Sequence, residues 1–237
     1  NNPSHIAQLN DMAKKIQLDV ITNNLANAAT DGYEQDDVIF KSVDHKESKR
    51  KTDKFVIPKG NYRLEQQGTL KPTGNNLDMA IVGRGYFKVL TPRGPRYTLN
   101  GAAMINNDNV LINLAGYPFA SANDQPIALP DEYTQVNIMK DGTVFAEVAG
   151  DVLEEVDVVG VFEFPEGTKL MKEGGNLYYT NAADLVVDNE FTSIITGSLR
   201  SSNVNSTKAL AQMIELQASS NASKRLVTDV ASLERHA

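Results

Sequence analysis

The stretch IAQLNDMAKKIQLDVITNNLANAATDG at residues 6–32 decides what kind of fold this chain can have. Apolar side chains recur in it at alternating gaps of three and four residues, the spacing by which one helix packs along another. The positions of this seam are Ile6, Leu9, Ala13, Ile16, Val20 and, with a polar side chain, Asn23. Asp31-Gly32 then provides a stop, because glycine readily takes the left-handed conformation that follows many helices. We therefore predict a helix over residues 4–30, about 40 Å long at 1.5 Å per residue.

The other end of the chain, residues 205–234, predicts a second helix. It contains neither glycine nor proline and is rich in good helix formers. Two apolar clusters flank a small polar run at residues 217–223; they are Leu210, Met213, Ile214 and Leu216, and then Leu226, Val227, Val230 and Leu233. Asn203 or Asn205 is expected to cap its N-terminus. Because such helices are marginal alone in water, the two helices must pack on each other, on the rest of the chain or on other copies.

Between the two helices the pattern changes to the period of two that is typical of β-strands. Leu77, Met79 and Ile81 alternate with other residues, and short runs are separated by Gly, Asn and Pro. Lys140-Asp141-Gly142 predicts a hairpin turn, and residues 106–109 predict another. Nothing between these strands has a helical period, which disfavours a parallel α/β fold. We predict an α+β fold, with α-helices at the N- and C-termini and a central, mainly antiparallel β-domain.

The predicted domain boundaries follow from these patterns. Residues 1–33 and 199–237 form a terminal helical domain, residues 34–75 an extended connector and residues 76–198 a β-rich domain. The connector holds a basic stretch between Lys41 and Lys54. We interpret it as a solvated connector rather than a nucleic-acid site, because the whole chain is acidic.

Composition excludes several classes of protein. The chain has 237 residues, and its 23 basic and 30 acidic residues give a net charge of −7. This charge argues against broad binding to nucleic acid or to anionic lipid. There is no cysteine, which excludes disulfides, thiolate metal sites and cysteine nucleophiles. No run approaches the ~20 apolar residues of a membrane helix.

Enzymatic interpretations find little support. The three histidines, His5, His45 and His236, have no neighbours at metal-ligand spacing. Gly83-Arg84-Gly85 is only a fragment of a nucleotide-binding loop and is better explained as a turn between strands. No GxSxG nucleophile elbow occurs. We predict that the protein is not an enzyme, with no catalytic residue, metal or other cofactor.

Four segments, in order along the chain, resemble signatures of the bacterial flagellar rod and hook proteins. Residues 23–33, NNLANAATDGY, resemble the N-terminal signature of this family. Residues 77–89, LDMAIVGRGYFKV, and residues 97–101, YTLNG, resemble its central motifs, and residues 202–205, SNVN, its C-terminal motif. The chain is identified as a member of this family and is most similar to the proximal rod type, with the distal rod type next. Its length fits both, but residues 217–221, QASSN, depart from the distal pattern.

The resemblance implies a structural role. In such proteins the terminal helices pack as a coiled-coil-like pair and against neighbouring subunits, forming the inner tube of an axial drive shaft that transmits torque and encloses an export channel. The β-domain lies outside. The implied partners are copies of itself, other rod proteins and the flagellar export apparatus, with no nucleic acid or small-molecule substrate and no membrane span. The implied location is the periplasmic rod of the basal body, reached without a cleaved signal peptide.

The same resemblance implies a set of subunit-interface residues on the two helices. They are Ile6, Leu9, Ile16, Val20, Asn23, Leu25, Asn27, Leu210, Met213, Ile214, Val227 and Val230. Asn23 and Asn27 can be read in two ways. Either the seam ends there and both are partly exposed, or both are buried in an interface, where an amide at a seam position enforces one register.

Other functions stay open at this point. The first alternative is a distal rod or hook-type axial subunit. Two further alternatives belong to different classes: a secreted fibre protein with helical oligomerisation ends, and a periplasmic binding module built on the β-domain.

Overall fold

The computed structural model describes residues 3–48, 51–63, 67–174, 176–187 and 192–236. Over these residues the fold is α+β, with helix α1 at Pro3–Ala26, helix α2 at Ser206–His236 and seventeen strands between them. This confirms the predicted helices at both ends and the mainly antiparallel β-structure in the middle.

The strands form one six-stranded sheet and several smaller ones, and their pairings are antiparallel. Their bounds are β1 Asp36–Ser48, β2 Lys51–Arg63, β3 Leu70–Pro72, β4 Met79–Gly83, β5 Tyr86–Thr91, β6 Gly94–Thr98, β7 Ala103–Ile105, β8 Leu111–Asn113, β9 Gln135–Ile138, β10 Thr143–Val148, β11 Val152–Val158, β12 Val161–Glu163, β13 Met171–Glu173, β14 Leu177–Tyr179, β15 Leu185–Val186, β16 Thr192–Thr196 and β17 Ser198–Arg200. The six-stranded sheet has the order β13-β14-β6-β5-β12-β15, and a three-stranded sheet has the order β11-β10-β9. Four two-stranded sheets, β1-β2, β16-β4, β17-β3 and β7-β8, complete the described structure.

The chain divides into two compact units. The helical unit comprises Asn1–Ala29, Glu34–Gln67 and Asn203–Ala237, and the β unit comprises Thr30–Tyr33 and Gly68–Ser202. This division does not test the domain boundaries that we predict from the sequence, and those boundaries stay predictions.

The predicted connector contains a long hairpin. Strands β1 and β2, of 13 residues each, pair antiparallel from Asp36 opposite Arg63 to Ser48 opposite Lys51. Pro58 and Gly60 make β2 difficult to predict from the sequence, because both residues normally weaken a strand. Pro58 is accommodated opposite Phe40, where the register shifts.

Helix α1 ends at Ala26, four residues before its predicted end. The last turn tightens there, since the Asn27 N–H donates to both the Asn23 and Asn24 carbonyls and the Ala28 N–H donates to the Leu25 carbonyl. Gly32 has the expected positive φ of 72°. However, it belongs to the β unit and its N–H donates to the Arg200 carbonyl, so it does not act as the helix stop.

The core of the β unit is built from the alternating side chains that the sequence indicated. Met79, Ile81, Phe87 and Phe119 are at most 1% exposed, and the two phenylalanine rings meet edge to face with centroids 5.8 Å apart. The remaining members of this core cluster are Val89, Ala103, Leu111, Ile127, Leu129, Val136, Ile138, Val144, Ala146, Val159, Val161, Leu177, Val187 and Ile194.

Two predicted turns are confirmed. Residues 140–142 connect the antiparallel strands β9 and β10, and residues 106–109 lie between β7 and β8. Gly142 and Asn109 take positive φ angles of 90° and 58°, which glycine and asparagine tolerate best.

Candidate assembly surface on the helical unit

The two helices contact each other along the helical unit. Lys14 Nζ on α1 donates to Ser223 Oγ at 3.0 Å and to the Ser219 carbonyl at 3.5 Å. Thr22 Oγ1, two turns further along α1, lies 3.9 Å from Met213 Sδ. Because a later position on α1 meets an earlier position on α2, the helices run in opposite directions.

Among the α2 side chains at residues 206–225, whose burial the structure describes, one stripe is the most shielded. Ala209 is buried, and Met213, Leu216, Ser220 and Ser223 are half-buried, at gaps of four, three, four and three residues. This is the spacing of a seam between helices. Two members of the stripe, Met213 and Ser223, are those that meet α1.

The buried stripe of α1 agrees with the predicted seam at Ala13 and is rotated from it further along the helix. Ala13, Ile21 and Asn24 are buried, with exposures of 6%, 7% and 3%. Ala13 belongs to the predicted seam, but Ile21 and Asn24 follow the seam positions Val20 and Asn23 by one residue; Val20 is half-buried, as is Ile16, and Asn23 is exposed. The difference is one position, about 100° around a helix, and it arises because α1 packs on β1 and β2 as well as on α2.

Large apolar side chains stay accessible on both helices. On α1, Met12 is 59% exposed and shares a ridge with the half-buried Ile16 and Val20, at i, i+4 and i+8. On α2, Leu210 and Ile214 are 46% and 59% exposed and also lie one turn apart. We call these two sets the apolar strips. Four of their five members are predicted interface residues, and Met12 is an addition from the structure.

The remaining predicted interface residues have varied surroundings. Leu25 and Met213 are half-buried. Asn23 is exposed, Asn27 is half-buried, and Asn27 Nδ2 donates to the Asn23 carbonyl at 2.8 Å. Burial of these two amides between subunits stays a prediction. Ile6, Leu9, Val227 and Val230 fall on the two helices, but their side chains lie outside the described residues.

Asn24 is the residue of the helical unit that the sequence analysis missed. Its Nδ2 donates to the Asp36 carbonyl at 2.7 Å, and its Oδ1 accepts from the Asp36 N–H at 3.1 Å. The side chain thus pairs with the first residue of β1 as a neighbouring strand would. The only signal in the sequence was its place inside the 23–33 motif.

The main charge cluster of the β unit surrounds Lys88, which is 3% exposed. Its ammonium forms ion pairs with Asp124 and Asp184 and lies 3.8 Å from the centre of the Phe162 ring. Tyr97 Oη donates to Asp184 Oδ2 at 2.8 Å. Burial, followed by the hydrogen bond to Asp184 and the charges of Asp184 and Asp124, raises the pKa of Tyr97 well above its usual value. The cluster ties the turn at Asp124 and the segment directly before β15 to strand β5.

Within the described residues, no three acidic or histidine side chains are grouped closely enough to hold a metal ion. Neither helix, over the part of the chain that the structure describes, is long and apolar enough to cross a membrane.

Two family models match this chain. Residues 80–146 match the model described as the flagellar hook protein FlgE/F/G D1 domain, and residues 12–33 match the flagella basal body rod protein model. The first covers strands β5 to β9 and most of β4 and β10, and the second covers most of α1 and the motif that follows it.

Similar proteins carry rod-protein names. The flagellar basal-body rod protein FlgF of Caulobacter vibrioides is 29% identical, in an alignment covering 100% of this chain and 96% of the relative. FlgF of Rhizobium meliloti is 26% identical over 89% of this chain and 85% of the relative. FlgG of Bacillus subtilis, another basal-body rod protein, is 28% identical over 90% and 88%.

These matches and the α+β fold with a helix at each end agree with one another. The chain is similar to the flagellar basal-body rod and hook proteins, in two segments to their family models and over most of its length to relatives named as rod proteins. Relatives named FlgF and FlgG are similar to it at nearly the same level of identity, so the comparisons support the rod family without separating its two types.

Proposed function

We propose that this chain is a structural, non-enzymatic subunit of the proximal rod of the flagellar basal body. Its terminal helices pack as a coiled-coil-like pair and assemble with neighbouring subunits into the axial drive shaft, which transmits torque and encloses the export channel. The observation that carries this proposal is the exposure of Leu210 and Ile214 on a helix that already uses another stripe against α1.

The energetics favour covering the apolar strips. Fully burying a Leu, Ile or Met side chain stabilises by about 1.5–3 kcal/mol, so the half-exposed side chains of the strips leave roughly 1 kcal/mol each to be gained. A contact between strips on different surfaces of two subunits is heterologous, and heterologous contacts that do not close build helical filaments. The strips therefore fit an axial subunit.

The roles that we propose for the segments follow the domain boundaries predicted from the sequence. Residues 1–33 and 199–237 assemble, residues 34–75 connect, and residues 76–198 form the outer domain. The gaps of four and three in the shielded stripe of α2 support the coiled-coil-like pairing. The proposed partners are further copies, other rod proteins and the flagellar export apparatus.

The assembly role is tested by the double substitution Leu210→Ser with Ile214→Ser. In the source bacterium, with this chain as the only copy, we expect rods to lack the variant and the cells to lose motility. The matched control is Gln212→Ser with Glu215→Ser, which changes two exposed polar residues of the same helix and should leave both properties unchanged. Normal rods and motility in the Leu210 and Ile214 variant would overturn the proposal.

The proximal subtype needs its own experiment. It is supported by residues 217–221, which depart from the distal pattern, and by the alignment with FlgF of Caulobacter vibrioides over the full length of this chain. Expression of the chain in strains that lack either the proximal or the distal rod protein should restore rods only in the first. Restoration only in the second would assign the distal type.

A further inference from the structure

Four residues between α1 and β1 leave the helical unit and belong to the β unit. The helical unit holds the chain as far as Ala29 and again from Glu34, whereas Thr30–Tyr33 is part of the β unit. The chain thus enters the β unit briefly, leaves it to form the β1–β2 hairpin, and returns at Gly68. We call residues 30–33 the clamp segment.

The clamp segment is held by its backbone. The Gly32 N–H donates to the Arg200 carbonyl at 2.6 Å, and Asn176 Nδ2 donates to the Asp31 carbonyl at 2.8 Å. Arg200 is the last residue of β17, the strand from which the chain continues towards α2. The hydrogen bond from Gly32 therefore joins the segment that follows α1 to the segment that precedes α2.

Side chains add to this hold. The Asp31 carboxylate lies 3.4 Å from Lys71 Nζ. Tyr33 is only 5% exposed, and Lys172 Nζ lies 4.1 Å from the centre of its ring. The clamp segment thus contacts residues of β3, β13 and β17, which are far apart in the sequence.

The fit around Gly32 requires a glycine. A Cβ atom at this position would lie 2.4 Å from the Asn100 backbone nitrogen and 2.6 Å from the Leu99 carbonyl carbon. Both are backbone atoms, which cannot move aside as the end of a side chain can. The φ angle of +72° is also one that other residues rarely adopt.

We propose that the clamp segment is a mechanical bypass. Tension applied at the C-terminal end of α1 enters the β unit at Gly32 and passes on through Arg200, so the covalent path through residues 34–67 does not carry it. The hairpin, which α1 contacts directly, is then a side branch of this covalent path and keeps its pairing while the rest of the chain is stressed. This inference does not depend on the proposed function, because it concerns the isolated chain.

Pulling on single molecules tests the bypass. Because the chain has no cysteine, Ala26→Cys at the end of α1 and Lys140→Cys in the β9–β10 turn provide two unique attachment points, both at exposed residues. If the clamp segment releases, residues 30–67 extend and add about 130 Å at 3.3–3.6 Å per residue. We expect this step only at the forces that also open the β unit.

Gly32→Ala should move the step of about 130 Å to clearly lower force. The added Cβ atom prevents the clamp segment from packing against the backbone of Leu99 and Asn100. The matched control is Gly74→Ala, which also places alanine at a positive φ, +77°, but meets nothing within 4 Å. It should behave as the parent chain does. The proposal is wrong if the parent chain releases the hairpin at the same low force as Gly32→Ala.

A second variant tests the bypass without changing Gly32, in case Gly32→Ala fails to fold. Lys71→Ala with Asn176→Ala removes the contact of Lys71 Nζ with the Asp31 carboxylate and the hydrogen bond from Asn176 Nδ2 to the Asp31 carbonyl. Gly32 is left unchanged. It should lower the force of the same step and speed hydrogen exchange at the Gly32 amide. An unchanged force and an unchanged exchange rate would contradict the bypass.

Discussion

At the scale of single residues, the Asn24 side-chain amide makes the hydrogen bonds to β1 that a neighbouring strand would otherwise make. Both of its polar atoms pair with the backbone of Asp36, and the side chain is almost fully buried. We expect Asn24→Ala to cost the helical unit about 1–3 kcal/mol, because a buried side chain loses two hydrogen bonds to the Asp36 backbone. Urea unfolding followed by far-ultraviolet circular dichroism measures this loss.

The neighbouring position supplies the control. Asn23 is exposed, so Asn23→Ala should change the free energy of unfolding by no more than about 0.5 kcal/mol. Equal losses in the two variants would mean that Asn24 has no special role in holding β1.

Tyr97 makes the stability of the β unit sensitive to alkali. Its pKa is raised above the usual value of 10 by burial and then by Asp184, whereas the unfolded chain ionises near that value. The unfolded state therefore loses its proton first. The contribution of Tyr97 is complete below pH 10 and is lost as the pH rises above it, by up to about 1.4 kcal/mol per pH unit.

Comparing the parent chain with Tyr97→Phe isolates this pH dependence of the free energy of unfolding. Tyr97→Phe should lower the free energy of unfolding at neutral pH through loss of the bond to Asp184, yet flatten its decline above pH 10. Chemical unfolding of both proteins at a series of alkaline pH values measures the two slopes. Parallel slopes would contradict the assignment to Tyr97.

At the scale of elements, the start of α2 is set by a cap that the sequence predicted. Asn205 Oδ1 accepts from the Lys208 N–H at 3.0 Å, so Asn205 is the cap, while Asn203 Oδ1 accepts from the Gln35 N–H at 2.6 Å. We expect Asn205→Ala to destabilise the helix by about 1 kcal/mol. Thermal melting of the helical circular dichroism and exchange at the Lys208 amide report the change.

Asn221→Ala is the matched control for the cap. Asn221 is an exposed asparagine in the middle of α2, where alanine is the better helix former by up to about 0.7 kcal/mol. This variant should melt at the same temperature as the parent or slightly higher. A loss as large as that of Asn205→Ala would show that asparagine itself, rather than its position, matters.

Elements whose signals are local could be predicted from the sequence. The repeat of apolar residues in α1 and the turn residues at 106–109 and 140–142 each act within a few positions, and the structure has these elements. The hairpin of β1 and β2 could not be predicted, because Pro58 and Gly60 obscure a strand that depends on its partner. The roles of Asn24 and Gly32 were also hidden, since both depend on residues that only the fold brings near.

The assembly surface was predictable in part for the same reason. The sequence marks Leu210, Ile214, Ile16 and Val20 as apolar helix positions, but burial depends on which face packs inside the subunit. Beyond Ala13, which is buried as the seam predicts, the buried face of α1 is one position away from the seam, and Ile16 and Val20 are half-buried. The resemblance, rather than periodicity, supplied the idea that these residues meet other subunits.

At the scale of the whole molecule, the two units should be separable in stability. Asp36 and Arg63 face each other at the base of the hairpin, so a two-residue Asn-Gly turn can replace residues 37–62. Because the hairpin belongs to the helical unit, the free energy of unfolding of the β unit should stay within about 0.5 kcal/mol of the parent value.

Tyrosine fluorescence is a selective probe for this experiment. Of the eight tyrosines, only Tyr62 lies in the helical unit, and it leaves with the hairpin; the chain has no tryptophan. A denaturant transition that becomes broader, or that shifts to lower denaturant, would show that the β unit depends on the hairpin.

The pairing of β3 with β17 and of β4 with β16 has an evolutionary consequence. Leu70 lies opposite Arg200, and Met79 lies opposite Thr196. The incoming and outgoing chains of the β unit are therefore side by side, about 5 Å apart as in any antiparallel pair. Apart from the residues that hold the clamp segment, the chain between them can lengthen, shrink or accept a foreign domain with adjacent termini, while the spacing of the two ends stays the same. Such a junction lets a lineage change the size of this unit without redesigning the helices, and it marks the site at which a reporter domain can be inserted.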